Sequence, residues 1–476
     1  MHSQYFEGDY KNPWTFSIIG GILMLLSYSP LTDNMEWAFG ALSIYMWCCV
    51  CLFGHMKFRH IWIYNIIKWL AVMWIWHPLN QLMHIPFLLS LLIAFSLVML
   101  MSTSFAIITF SLLKITRRLG TEIRTLFVLP LIWLVCELAA AHIFHFPWLG
   151  VLTTQVNAPY SQIFYFFNPI YSILFIILTI ASFQYLIHSK RYTPFLLCSL
   201  TMLTLCIYAN TLTQPERLTL DVSVVQLNID KIKQYHQMVR SESPRQESIK
   251  QDEETLEQYI NESSHLPAGD IIVWPETIIG NNFADVKSEH IRKIAQLKKL
   301  HHNIFFGATI FQNKPYNLSI HIGKTINHNE KKHHVPLSEE NYPKVVSGAA
   351  KALGINVSPY SFDKHNKLQH FKISKDQHSI NVASLICYDS AYEIYKPQNL
   401  STDLFIIQSE NIWFHSSWAE KQQLLTARTI AMINKKPLIY SVNGSRSGFI
   451  HHDGMVNMSL DGKTTHHSDK IAASYH

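Results

Sequence analysis

The chain has 476 residues, of which 49% are hydrophobic and only 15% charged, with a formal net charge of +6 at neutral pH. So few charges exclude an ordinary soluble single-domain protein, and the length argues for two or more domains. The small basic excess comes without any aromatic–basic motif and gives no reason to invoke nucleic acid.

Up to about residue 212 the sequence is a series of long apolar segments; from Gln214 onward it has the acids, lysines and turns of a globular domain. "TQPER" (213–217) marks the boundary between a helical transmembrane domain, 1–212, and a second domain, 213–476. A helix needs roughly 20 residues to cross a bilayer. Seven segments qualify, at about 14–31, 36–53, 61–77, 85–112, 126–144, 164–187 and 193–211. The third is the weakest, being short and carrying Lys68. None shows the polar face that a helix of a soluble protein keeps, so a transmembrane bundle is expected.

Lys and Arg fall before the first span (Lys11), between the second and third (Lys57, Arg59), between the fourth and fifth (Lys114, Arg117, Arg118, Arg124) and between the sixth and seventh (Lys190, Arg191). The alternate loops, 32–35, 78–84 and 145–163, contain neither residue. The positive-inside rule then predicts a cytoplasmic N-terminus and a second domain on the opposite face, the periplasm if the membrane is a bacterial inner membrane. No cleavage pattern precedes the first span, which is expected to stay as an uncleaved anchor.

Past the boundary, "LTLDVSVVQLNI" (218–229) has strand composition, and 231–264 reads as a loop and an amphipathic helix. "DIIVWPE" (270–276) is a short buried strand, followed by a helix at about 287–300. "NIFFGATIF" (303–311), "NLSIHIG" (317–323), "INVASLICY" (380–388), "TDLFIIQSE" (402–410) and "PLIYSVNG" (437–444) are further strands, with a helix at 417–434 and a turn at 443–448. The alternation predicts a layered α/β domain around buried sheet.

Three polar residues close or follow these apolar runs: Glu276 after "IIVWP", Lys331 at the start of "KKHHVPLSEE", and Cys387 at the end of "ASLIC". Strand ends carry polar residues simply because the core stops there, and also because sites are built there. The cysteine is the more informative. The other six (Cys48, Cys49, Cys51, Cys136, Cys198, Cys206) all lie in the apolar half, where Cys48, Cys49 and Cys51 read as packing residues. A lone thiol in an oxidising compartment is either buried or used. A carboxylate to take its proton and a lysine beside a developing oxyanion would make an acyl-transfer site.

The order Glu, Lys, Cys, in these contexts, resembles the nitrilase (carbon–nitrogen hydrolase) superfamily, and within it the membrane-bound apolipoprotein N-acyltransferase family. The family's "WPE" is matched by Trp274, Pro275 and Glu276, and its K-x-H-x-V-P by Lys331, His333, Val335 and Pro336. The acid after that "VP" is matched by Glu339, and "CYE" by Cys387, Tyr388 and Asp389. "VQLNI" (225–229) resembles the family's V-Q-x-N-I, "SENIWFH" (409–415, with Trp413) its N-D-x-W-F-G, and "FPWLG" (146–150, with Trp148) a motif of a periplasmic loop. Asp389 stands for the usual Glu, Ser338 for a Gly, His415 for a Gly, and Tyr235 near an expected Trp. The family's eighth span has no counterpart in "TTHHSDKIAASYH".

The resemblance implies a nitrilase-like α-β-β-α sandwich after the membrane helices. It implies that Glu276 is the general base and Cys387 the nucleophile that takes an acyl chain from a phospholipid such as phosphatidylethanolamine. Lys331 and backbone N–H groups near residue 388 would stabilise the oxyanion. The acceptor would be the free amine of a diacylglyceryl-cysteine apolipoprotein, with Glu339 holding Lys331 or orienting the amine. No metal or other cofactor enters this scheme. Trp148 is either part of a lipid entrance or an interfacial anchor, and Glu137, inside the fifth span, is either functional or a hydrogen-bonding residue between helices. The His pairs at 301–302, 333–334, 451–452 and 466–467 lack metal-ligand spacing and are expected at the surface, His333 excepted. Two other readings stay open: a membrane-bound acyltransferase or amidase with a different substrate, and a non-catalytic assembly factor on the same scaffold.

Overall fold

The computed structural model describes residues 12–52, 56–81, 85–211, 217–283, 286–311, 315–333, 370–396, 398–458 and 465–474. Glu339, Ser338 and the Val335–Pro336 pair lie outside these residues, as does most of the expected boundary at 213–217.

Helices stand at each predicted span. They are α1 (Pro13–Ser27), α2 (Glu36–Leu52), α3 (Phe58–Trp69), α4 (Trp76–Gln81), α5 (Phe87–Ile115), α6 (Thr121–Ile123), α7 (Leu129–His142), α8 (Val151–Thr154), α9 (Pro169–Ser189) and α10 (Thr193–Thr211). Asn12 and Asn168 cap α1 and α9 with their side chains, each followed by a proline whose missing N–H costs nothing there. Among the described residues, three helical stretches are long and apolar enough to cross a membrane: Phe87–Arg118, Thr121–His142 and Pro169–Ser189. The helices α1, α2 and α10 are apolar but shorter. The third predicted span departs furthest, breaking into α3, a 3-10 stretch at Leu70–Ile75, and α4. The polar residues His60, Asn65 and Lys68 of α3 are buried, with the Lys68 ammonium 5.0 Å from the Trp133 ring centroid.

The second half contains β1 (Arg217–Val225), α11 (Lys231–Arg240), α12 (Pro244–Ser264), β2 (Gly269–Val273), β3 (Ile279–Asn282), α13 (Ser288–Leu297), β4 (His301–Phe311), β5 (Pro315–Ile322) and β6 (Ile326–Glu330). Then follow β7 (His370–Lys375), β8 (His378–Ile386), α14 (Asp389–Glu393), β9 (Leu404–Glu410), α15 (Ser417–Asn434), β10 (Leu438–Asn443), β11 (Gly448–Ile450), β12 (Val456–Met458) and β13 (His466–Ser474). The stretch expected to hold one helix holds two, because Asp230 caps α11 and Pro244 starts α12. The chain end that matches no span is β13, paired antiparallel along the whole of β1.

One sheet has seven strands in the order β13-β1-β2-β4-β5-β6, with β3 on β4; the other has six, β12-β11-β10-β9-β8-β7. Their central strands are parallel, and parallel strands need cover on both faces. Between the sheets lies a core that includes Val222, Ile271 and Phe305 from the first and Val382, Ile406 and Ile439 from the second. The helices α12 and α13 cover the first sheet through Leu256, Tyr259, Ile294 and Leu297. On the other side a single apolar cluster runs from Leu385, Phe405 and Tyr440 through Ile430 of α15 into Trp148, Val151, Trp74 and the helices of the first half. Polar contacts cross the same seam. The Lys421 ammonium pairs with Asp33 and Glu36, and Arg428 donates to Asn157 Oδ1 at 2.6 Å. His301, expected at the surface, is buried in β4.

Candidate active site

Pro275 ends β2, and the turn that follows presents Glu276, whose side chain is almost wholly buried. Its Oε1 accepts from Asn317 Nδ2 at 2.7 Å and from the Lys331 ammonium at 3.1 Å. Its Oε2 accepts the backbone N–H of Glu410 at 3.1 Å. Three donors, one of them a cation, suit an ionised carboxylate held in a fixed orientation. Lys331 follows β6 and is as deeply buried; its own N–H is held by Asn317 O at 2.8 Å. One residue of β5 thus sets both the lysine backbone and the acid.

Cys387 directly follows β8, where its N–H donates to Gln408 O at 2.8 Å. Its φ of 48° lies in the left-handed region, which costs an ordinary side chain on the order of 1–2 kcal/mol. The strain is held by the following turn, in which Ser390 donates from Oγ to Cys387 O at 2.7 Å. Gln408 ties this turn to the acid: its Nε2 donates to Trp274 O at 2.8 Å, two residues before Glu276. Its Oε1 accepts from Ser319 on β5 and from Ser384 on β8, at 2.5 and 3.1 Å. The two strand ends bearing Glu276 and Cys387 are therefore joined by a buried polar link between the sheets.

Asp389 does the same for the lysine. Its Oδ1 accepts the N–H groups of Lys332 and His333 at 3.0 and 2.8 Å, and lies 3.1 Å from His333 Nδ1. Although a methylene shorter than the Glu of the motif it resembles, it reaches the lysine segment from the cysteine turn. The His333 ring stacks on Tyr392 at 4.0 Å.

Tyr388 faces the first half of the chain. Burial pushes its hydroxyl well above the usual range, and as a donor it bonds His145 O at 2.9 Å. Its ring lies 6.0 Å from that of Trp148, which meets Trp74, which in turn meets Phe414. Trp148 is buried within this aromatic row and is not an exposed anchor. Trp413, half-buried beside Phe414, approaches His77 through its backbone. His415 adopts a φ of 43°, which accounts for a glycine at that position in the motif it departs from; its ring stacks on His77 at 5.1 Å. Glu137 is hydrogen-bonded, its Oε1 accepting from Trp133 Nε1 and from the Val151 N–H at 2.6 and 2.8 Å, and so fixes the end of the loop that carries Trp148.

Sequence reasoning missed Asn317, Gln408 and Gly307. The first two are polar residues inside apolar strand runs, a pattern that signals a partner in the core. Gly307 interrupts "NIFFGATIF", and a glycine inside a strand often marks close backbone approach. A Cβ there would lie 2.5 Å from Glu276 Cα.

The two-sheet α/β domain carries a buried Glu276–Lys331 pair and a cysteine at a strand end, and the profile for carbon–nitrogen hydrolases matches residues 221–466. The chain belongs to the carbon–nitrogen hydrolase family. Beyond that domain it is similar to the apolipoprotein N-acyltransferase of Coxiella burnetii, 25% identical over 393 residues, covering 78% of this chain and 75% of that one. The apolipoprotein N-acyltransferase of Shewanella oneidensis is 27% identical over 365 residues, covering 71% and 66%. These likenesses support an acyltransferase activity and a membrane setting. Among solved structures, an amidase of the nitrilase superfamily from Nesterenkonia superposes with a TM-score of 0.32 and 8% identity, over 55% of this chain and 92% of that one. So loose a superposition adds no weight.

Proposed function

We propose that this chain transfers an acyl chain from a phospholipid to the N-terminal amine of a diacylglyceryl-cysteine apolipoprotein, carrying it as a thioester on Cys387. The observation that carries the reading is the buried Glu276–Lys331 pair, linked through Gln408 to a cysteine held in a strained strand-end turn.

In this mechanism Glu276 takes the Cys387 proton, and the thiolate attacks the ester carbonyl of the donor. Lys331 and the backbone N–H groups near residue 388 stabilise the tetrahedral oxyanion, a contribution of the order of 10²–10³ in rate per donor. Collapse breaks the ester C–O bond, and the departing lysophospholipid oxygen takes the proton back from Glu276. The acceptor amine then attacks the thioester and gives a proton to Glu276. Collapse forms the amide and returns the proton to the thiolate. His333 and Asp389 hold the lysine segment, while Tyr388, Trp148 and Trp413 line the approach for the lipid chains; Glu339 is assigned to orienting Lys331 or the amine. Residues 1–212 are the transmembrane bundle with a cytoplasmic N-terminus, and 213–476 the periplasmic catalytic domain at the outer surface of a bacterial inner membrane.

The test is intact mass of the detergent-solubilised chain after incubation with phosphatidylethanolamine, with Cys387→Ala as control. A hydroxylamine-sensitive gain of one acyl chain, absent in the control, supports the reading. No gain, with Cys387 alkylated readily by a small probe, would replace it with an amidase or a different donor.

A further inference from the structure

We propose that Glu410 is a second carboxyl of the Glu276 site, kept protonated so that it adds no further charge beside the one Glu276 carries. The proposal deepens the acyl-transfer reading and rests on it for the kinetic part of its test.

Glu410 is the last residue of β9 and is 1% exposed. Its N–H is the donor on Glu276 Oε2, so the two acids are one hydrogen bond apart through the backbone. Glu276 has gathered three donors, including an ammonium. Glu410 is poorly supplied by comparison. Asn443, opposite it in register on β10, donates from Nδ2 to Glu410 Oε1 at 2.8 Å, and shares that same amide with Ile229 O at 2.8 Å. Glu410 Oε2 and Asn443 Oδ1 are both buried without a partner. Two stranded acceptors side by side on paired strands lack a donor, and a proton on the carboxyl supplies one. An ionised carboxylate would instead leave Oε2 buried without a donor.

The groups facing Glu410 come from every side. Lys231 stands at the start of α11, Glu276 in the turn after β2, Tyr259 on α12, Asn443 on β10, and the Ile412 N–H just beyond β9. Burial, the largest influence, and the Glu276 charge push the carboxyl up to about 8, against the pull of Lys231, Asn443 and Ile412. The thiolate and the tetrahedral intermediate are both anionic. Ionising Glu410 sets a further fixed negative charge in the same buried space and slows acylation by about tenfold.

The test is single-turnover acylation of Cys387 by phosphatidylethanolamine, in the full chain in detergent, from pH 6 to 10. The readout is the ratio of rates at pH 7 and pH 9.5 within each variant. The expected wild-type ratio exceeds that of Glu410→Gln by about tenfold, since the amide cannot ionise; equal ratios overturn the proposal. Infrared pH-difference spectra give a second readout that needs no turnover. A buried protonated-carboxyl band that disappears between pH 6 and 10, and is missing in Glu410→Gln, supports the proposal. Its absence from the wild type overturns it; should Glu410→Gln not fold, Glu410→Asp takes its place, a shifted band supporting the proposal and an unshifted band overturning it. If no thioester forms at any pH, the acyl-transfer reading fails while the infrared result still judges Glu410.

Discussion

Gly307→Ala tests whether backbone packing sets the position of Glu276. An ideal Cβ at residue 307 would stand 2.5 Å from Glu276 Cα, 2.6 Å from Thr277 N and 2.8 Å from Glu276 C. Non-bonded carbons settle at about 3.5 Å or more, so the methyl must displace the Glu276 turn by roughly 1 Å. No flexible side chain is available to yield, because the atoms met are backbone. The turn is also pinned on both sides, by Gly307 N–H to Pro275 O at 3.0 Å and Ile278 N–H to Gly307 O at 2.9 Å. A misplacement of about 1 Å in a reacting group lowers a rate by about 100-fold, equivalent to about 2.7 kcal/mol. Overpacking should also cost about 1–3 kcal/mol of stability. Both are measurable in detergent, as the rate of Cys387 acylation and the midpoint of thermal unfolding. Gly120→Ala, with nothing within 4 Å of the new methyl, is the control. A Gly307→Ala protein that acylates within about threefold of wild type and melts at the same temperature would refute the reasoning.

Asn317→Leu removes the 2.7 Å donor on Glu276 Oε1 and keeps the carbonyl that holds Lys331. A buried hydrogen bond to a charged group is worth about 1.5–3 kcal/mol, so acylation should fall about 10- to 100-fold while far-ultraviolet circular dichroism is preserved; a loss under twofold would count against the assigned geometry. His321 reports on pH. It lies stacked on Phe305 at 4.5 Å, and burial, with the Lys298 charge adding to it, pushes the imidazole down to about 4. The unfolded chain therefore binds a proton near 6.5 that the folded chain refuses until about 4. The contribution is complete above pH 6.5 and is lost as pH falls toward 4, by up to about 3 kcal/mol. His321→Gln should flatten that acid limb of thermal stability, and an unchanged limb would show that other groups cause it.

The ends of buried strands were the most legible part of the sequence. Pro275 and the polar residues after "IIVW" and "ASLI" mark where β2 and β8 stop, and Glu276 and Cys387 stand there. The residues that join those ends were not legible. Gln408 and Asn317 lie inside apolar runs, and their meaning depends on which strand of the other sheet faces them, a relation between distant segments that no local pattern carries. Edge strands were missed for another reason: β13 alternates exposed and half-buried positions over most of its length, so its hydrophobic signal is weak. The third predicted span shows a different gap, since its apolar run does not reveal the break into α3, a 3-10 stretch and α4. Nor does hydropathy show that Asn65 and Lys68 are buried against neighbouring side chains.

The apolar cluster beneath the second sheet has a consequence for when the Cys387 turn is complete. The wall behind the Cys387 turn is finished by Trp148 and by the carbonyl of His145, both of which arrive from the first half of the chain. A second half that folds before the helices have settled has an unbraced Cys387 turn and an open, greasy face. Under the proposed function, integration into the bilayer doubles as a licensing step: the acyl-carrying centre is completed only in the place where its proposed lipid donor and acceptor can reach it.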